Sequence, residues 1–187
     1  MQRISIVGNS GTGKTTMARA IAGALGIPHL ELDSIHHLPK WEPIERGLFR
    51  EKVGAFVAGD AWVVDGNYSA VQDLVWQRAD TVVWLDLPRR TIMRQLMLRT
   101  LRRMVSREEL WNGNTESWRD QFSLDPTRSI VLWAWTEHRN YVARYSQAQR
   151  DPANKNLTFI RVRSRAARER LVAELAAHVP VGGVAAE

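Results

Sequence analysis

Apolar positions along the chain fall into short continuous runs separated by longer stretches of helical period. The runs Arg3–Val7, Pro28–Leu32, Trp62–Val64, Thr81–Leu85 and Leu157–Val162 are rich in Val, Ile, Leu and aromatic residues and predict five strands. Between them the 3.6-residue period predicts helices over Thr16–Leu25, about 44–58, Val71–Gln77, from Pro88 onward, Ser129–Gln147 and Ala166–Ala177. Pro88 suits the first position of its helix. There Ile92, Met93, Leu96, Met97, Thr100, Leu101 and Met104 make an apolar stripe, with Arg90, Arg94, Arg99, Arg102 and Arg103 opposite. In the next helix Ile130, Trp133, Tyr141 and Tyr145 share one side.

Strands that alternate with helices imply an α/β class, a parallel sheet covered on both faces. Doubly apolar strands such as Thr81–Leu85 agree with that burial. No repeat or linker divides the chain, so residues 1–178 are expected to form one domain. The helix-rich stretch from Pro88 to Gln147 reads as an insertion over the sheet edge. The tail, 179–187, holds Gly182-Gly183 without periodicity and is expected to fray.

Composition narrows the class only slightly. The chain has 187 residues, 44% hydrophobic and 25% charged, as in an ordinary globular domain. No apolar run approaches the ~20 residues of a membrane span, and no secretory leader pattern precedes the first strand. The absence of cysteine excludes disulfides and thiol chemistry and fits a cytoplasmic protein. The net charge of +6 invites a nucleic-acid partner, but only four residues are lysine. Arginine's planar fork equally suits the phosphates of a nucleotide.

The chemistry begins at the end of the first strand. Gly8-Asn9-Ser10-Gly11-Thr12-Gly13-Lys14-Thr15 fits G-x-x-x-x-G-K-[ST], set between a strand and a helix opened by Thr16. The glycines let successive N–H groups turn inward around a phosphate, and the helix adds its positive end. Lys14 is then expected at the β- and γ-phosphates of ATP, and the Thr15 hydroxyl on Mg²⁺.

Carboxylates at strand ends supply the next candidates. Asp65 closes an apolar strand and is expected to hold Mg²⁺, the alternative being a cap on the turn before Gly66. Asp33 closes another and is the candidate base beside the acceptor, the alternative being an N-cap. Asp86 reads as the cap of the helix at Pro88. His36 and His37 are adjacent, which does not suit a helical metal pair. His37, Trp41 and Asn67 are the acceptor-contact candidates, with loop packing as the alternative. Seven arginines and no acid lie between Arg89 and Arg107. Arg99, Arg103 and Arg107 are the ones expected to reach phosphate, the rest forming a solvated face. Trp62, Trp84 and Trp133 read as core. Trp41, Trp111 and Trp118 lie where stacking on a substrate ring competes with packing.

The loop, the Leu32-Asp33 strand end, Val64-Asp65-Gly66-Asn67-Tyr68 and Val83-Trp84-Leu85-Asp86-Leu87-Pro88 resemble the adenylate-kinase-related P-loop proteins. Arg102-Arg103 with Glu109–Asn114 and Ile130–Trp135 resembles the lid region of the bacterial topology modulation proteins. The resemblance covers roughly Arg3 to Leu175. It implies a three-layer α/β/α P-loop fold with five parallel strands in the order 2-3-1-4-5 and a lid over about 99–128. It also implies an adenine contact at Ser164 and Arg165. The Asp-Gly-Asn-Tyr segment lacks the arginine by which nucleoside monophosphate kinases hold their acceptor, which leaves a smaller hydroxyl compound open.

Two functions follow as expectations. The first is a kinase that passes the γ-phosphate of ATP to a small-molecule or nucleotide acceptor. The second is a nucleotide-dependent, DNA-binding regulator, and a third possibility is an NTPase module of a larger complex.

Overall fold

The computed structural model describes residues 1–106, 109–114 and 130–177. Five strands, β1 (Arg3–Gly8), β2 (His29–Glu31), β3 (Trp62–Asp65), β4 (Thr81–Leu85) and β5 (Thr158–Val162), form one sheet in the order β2-β3-β1-β4-β5. Every neighbouring pair is parallel. The helices are α1 (Lys14–Leu25), α2 (Leu32–His36), α3 (Arg46–Val57), α4 (Ser69–Arg78), α5 (Arg89–Ser106), α6 (Ile130–Arg150) and α7 (Arg165–Ala177). Among the described residues no helix is long and apolar enough to cross a membrane.

The two faces of the sheet follow the alternation of its side chains. Ile4 and Ile6, Val63, Val83 and Leu85 face α1 and α7, where Met17, Ile21 and Leu171 complete a core. On the opposite face Trp62 and Val64 pack with Phe49, Val53, Val71 and Val75 of α3 and α4. Beside them Val7, Val82 and Trp84 meet Tyr145 of α6. Three layers result, as the alternation of elements implies.

Local signals set two of these helix ends. Gly26, at φ 65°, ends α1 in the left-handed region that glycine adopts without strain. Glu45 caps α3, its carboxylate accepting from the N–H groups of Gly47 and Leu48 at 2.7 and 2.8 Å.

Three expectations need correction. First, β2 stops at Glu31, and Asp33 stands in the first turn of α2 instead of closing a strand. The reason is the partner strand: the last pair is Glu31 with Asp65, after which β3 turns away at Gly66. Leu32 then leaves the sheet line and buries its side chain with α3 and α4. Second, the apolar stripe on α5 is narrower than expected. Ile92, Leu96 and Thr100 are buried, but Met97 and Leu101 are exposed at 58% and 49%. Third, Asp86 accepts from Arg161 at 2.7–2.9 Å, with Arg163 at 3.6 Å, so its carboxylate ties β4 to β5.

Candidate active site

The turn from β1 into α1 is built for an anion. Gly8, Gly11 and Gly13 all have positive φ, and packing as well as conformation demands two of them. A Cβ on Gly8 would lie 2.6 Å from the Leu85 carbonyl, and one on Gly11 would lie 2.9 Å from the Cβ of Leu96 on α5. Among the described residues no side chain caps α1, so the donors of its first turn are left to whatever the loop encloses. Inside the loop Thr12 Oγ1 donates to the Asn9 carbonyl at 2.7 Å, and Lys14 Nζ donates to the same carbonyl at 3.2 Å.

The loop is braced from outside. Asn67 donates to the Gly8 carbonyl at 2.5 Å and accepts from the Gly8 N–H at 3.1 Å. Tyr145 of α6 donates to that same Asn67 oxygen at 3.1 Å. Asn9 Nδ2 reaches the Ala134 carbonyl at 2.8 Å, a second tie to α6. Asn67 was expected among the acceptor contacts. Its amide is instead engaged with the loop.

Carboxylates surround the loop lysine. Burial pushes the Lys14 ammonium below its usual pKa, while Asp33, Asp65 and Glu31 act to raise it and Arg99 to lower it. Four groups named from the sequence, Lys14, Asp33, Asp65 and Arg99, thus share one electrostatic neighbourhood. Glu31 was not among them. It ends β2 level with Asp65 and accepts from the Thr15 hydroxyl at 2.9 Å. The signal was present as an acid two residues before Asp33, but a strand drawn through Leu32 hid it. Asp65 is buried, with His29 Nε2 at 3.4 Å from its Oδ2. A hydroxyl and two carboxylates, Thr15, Glu31 and Asp65, are hard oxygen donors of the kind that suits Mg²⁺.

Asp33 faces a different set of partners. Tyr68 donates to its Oδ1 at 2.5 Å, and His37 Nε2 lies 3.3 Å from the same Tyr68 hydroxyl. Burial and then the Asp33 charge push the Tyr68 pKa far up, so the phenol stays protonated. With its one proton on Asp33, Tyr68 accepts from His37 Nε2–H. The His37 ring stacks on Trp111 at 5.8 Å and meets Trp41 edge-on at 5.2 Å.

The arginines divide. Arg99 extends Nη2 to the Ser10 hydroxyl at 3.4 Å, and Arg103, half-buried, follows one turn later. Arg89 stacks 3.3 Å over the Trp135 ring and donates to the Trp135 carbonyl at 2.7 Å. Arg90, Arg94 and Arg102 are exposed. Arg107, Trp118 and the tail 179–187 lie outside the described residues. Ser164 accepts from the Ala167 N–H at 3.1 Å and so caps α7. Arg165 pairs with Glu169 at 2.8 Å, its side chain 80% exposed. Three residues on, Arg168 places Nη1 2.9 Å from where a Cβ on Gly13 would sit. Arg168 therefore approaches the loop, and Arg165 does not.

The comparisons with known proteins accord with this geometry. The model of the ATPase family associated with various cellular activities (AAA) matches residues 4–86, short of half the chain. Over 60 residues the chain is 33% identical to a cytidylate kinase of Nitratidesulfovibrio vulgaris strain Hildenborough, a match that covers 29% of this chain and 26% of that kinase. The cytidylate kinase of strain DP4 is 32% identical over 60 residues, with the same shares covered. The chain thus spans about a quarter of the length of the curated relatives it matches. Among solved structures, the shikimate kinase of Bacteroides thetaiotaomicron superposes with a TM-score of 0.53 at 18% identity. That superposition covers 93% of this chain and 95% of the kinase. The likeness shows the fold, a P-loop kinase-like α/β/α sandwich.

Proposed function

We propose that this chain is an ATP-dependent phosphotransferase that delivers the γ-phosphate to a hydroxyl of a small acceptor held beside Asp33. The observation that carries the reading is the Asp33 carboxylate, fixed by the Tyr68 hydroxyl at 2.5 Å, whose charge acts on the loop lysine Lys14 together with those of Asp65 and Glu31. A phosphate loop alone holds nucleotide. A carboxylate across from its lysine, fixed by Tyr68, adds a base for an incoming hydroxyl.

In this mechanism the Gly8–Thr15 backbone and the uncapped start of α1 bind the β- and γ-phosphates, and Lys14 neutralises charge on them. Mg²⁺, held by Thr15 with Glu31 and Asp65, would neutralise the phosphate oxygens and orient them. The acceptor oxygen forms a bond to the γ-phosphorus while the bond from that phosphorus to the bridging oxygen of ADP breaks. Asp33 takes the acceptor's proton. Arg99, already at Ser10, is placed to neutralise the transferring group, and Arg103 on the same helix face is the second candidate. The cytidylate kinase relatives and the fold support a phosphotransferase. The acceptor is narrowed only by the residues around Asp33.

Full-length protein with Mg²⁺ and γ-labelled ATP, offered nucleosides, sugars and small hydroxy acids in turn, is expected to transfer label to one class. Slow ATP hydrolysis that no compound accelerates would overturn the reading.

A nucleotide-gated nucleic-acid regulator is the second reading, of which the topology modulation resemblance is the sequence counterpart. It is favoured by α5, with Arg90, Arg94 and Arg102 exposed and no acidic residue. Duplex binding that weakens steeply with salt, and changes when ATP is added, would support it over the first.

A further inference from the structure

Residues 109–114 and residues 34–41 are far apart in sequence and fastened together in space. Asn114, 4% exposed, uses both ends of its amide. Its Oδ1 accepts from the Trp41 N–H at 2.9 Å, and its Nδ2 donates to the carbonyls of Leu38 and Trp111, each at 2.9 Å. One side chain therefore spans the turn Pro39–Trp41 and holds its own segment at the same time. Asn112 adds a hydrogen bond from Nδ2 to the His37 carbonyl and another to the Ser34 carbonyl at 3.4 Å.

Backbone strain marks the same place. Among the described residues, the non-glycine positions with positive φ are Lys40, Trp41 and Asn112, at 57–63°. All three belong to this contact. Such conformations persist only where surrounding interactions enforce them, and they concentrate at ligand-holding segments. The rings of the two segments close on each other, Trp111 stacked on His37 and Trp41 edge-on to both. From His37 the contacts lead through Tyr68 to the Asp33 carboxylate.

We propose that residues 109–114 form the outer wall of the acceptor site. Asn112 and Asn114 are the positioning residues that hold this wall on residues 34–41. The His37, Trp41 and Trp111 rings then select an acceptor whose hydroxyl is carried on a ring. Rigid aromatic faces gain most from a flat or chair-shaped partner that covers them, and an open chain must be ordered to do the same. The acceptor part of this inference rests on the phosphotransferase reading. The fastening stands on its own.

The test therefore has two arms on the full chain. In the first, amide exchange is followed in Asn112→Ala, Asn114→Ala and the milder Asn114→Asp, which keeps the acceptor for Trp41 and loses the donor. Exchange over residues 35–42 is expected to accelerate about tenfold or more, with β1 and β4 unchanged. ADP affinity, read by calorimetry, should stay within about twofold. Unchanged exchange at 35–42 in all three variants overturns the fastening.

In the second arm, ring alcohols (nucleosides, hexoses, cyclic hydroxy acids) compete as acceptors with glycerol and open-chain gluconate. Ring compounds should be preferred. Trp111→Ala should raise the acceptor KM about tenfold while the ATP KM holds within about twofold. Preference for the open chains, or an unmoved acceptor KM, overturns the aromatic wall. If no alcohol takes phosphate from ATP, the phosphotransferase reading and the acceptor class fall together, and the exchange arm still decides the fastening.

Discussion

In the proposed phosphotransferase the donor and acceptor halves of the site are made by different means. From Gly8 to Thr15 the binding surface is backbone: left-handed glycines, an uncapped helix start and one lysine, all within eight consecutive residues. The acceptor half is made of side chains from separate elements. Asp33 comes from α2, Tyr68 from the residue before α4, His37 and Trp41 from the intervening loop, and Trp111 from a segment 70 positions beyond Trp41. A backbone cradle suits any nucleotide phosphate, and the rest of the fold serves it as a brace, through Asn67, Tyr145 and the bond from Asn9 to Ala134. A side-chain wall can be altered residue by residue without disturbing the sheet, so it is where specificity is set.

The harshest way to break this contrast is at Lys14. Lys14→Met is expected to lower nucleotide-dependent turnover about a thousandfold, the upper range for one charge-stabilising group. The melting temperature should not fall, because burial disfavours the ammonium in the folded chain. The folded pKa is lower than the unfolded one, so the charge costs most at pH values below both. That cost eases as pH rises from the depressed folded value toward 10.5. The stability of the wild type relative to the variant should therefore improve on the alkaline side, as read by melting at pH 7 and pH 10. A variant that melts several degrees lower at pH 7 would mean that Lys14 holds the fold, and the donor half would no longer be a surface kept for its ligand.

The next test separates the halves. Asp33→Asn keeps the size of the group and removes its basicity, so transfer should fall about a hundredfold or more. Affinity for ADP should change less than about twofold, since no donor contact is lost. Parallel losses in both would place Asp33 in the donor half instead.

A sharper boundary is drawn at α7. Arg168→Ala is expected to weaken ADP binding about tenfold, the scale of one charged hydrogen bond, measured by calorimetry. Arg165→Ala should leave it unchanged, because that side chain is exposed and paired with Glu169. Unchanged binding in both variants would mean that neither guanidinium reaches the nucleotide, and equal losses would erase the boundary between them.

Arg165 and Arg168 also show why one half was legible in the sequence and the other only in part. The phosphate loop announces itself because its spacing is local and its function needs glycine at fixed offsets. The five strands were equally plain, since buried parallel strands read as apolar runs, while their order was implied only by the resemblance to the adenylate-kinase-related P-loop proteins. Which of two arginines three apart turns toward a loop depends on helix phase. So does the burial of Leu96 but not Met97 on α5, and such choices are settled by packing. Asp33 was identified as a chemical group and misplaced by one element, because strand pairing, invisible in the sequence, ends β2 at Glu31. The same error concealed Glu31. The amides of Asn112 and Asn114 gave no signal of this fastening, because their partners across it are backbone atoms about 75 residues away.

The smallest expected effect concerns the acceptor half at acid pH. His36 and His37 both have pKa values lowered from the usual 6.5, in each case mainly by burial. For His36 the neighbouring His37 lowers it further, and for both Asp33 opposes the shift. His37 uses Nε2–H on Tyr68, so an added proton must go to Nδ1, which is buried without a hydrogen-bond partner among the described residues. A folded pKa below the unfolded one means that the unfolded chain binds more protons in the window between them. Stability is then fully present above 6.5 and declines as pH falls through the depressed folded value. Amide exchange over residues 34–41 should accelerate by a few-fold between pH 7 and pH 5 after correction for intrinsic rates, while the β1 strand holds. His37→Gln, which keeps a donor for Tyr68 and cannot titrate, should remove most of that change. If the variant keeps the full acid sensitivity, the titrating group is not His37, and the contrast between a backbone cradle indifferent to acid and a side-chain wall that titrates there fails.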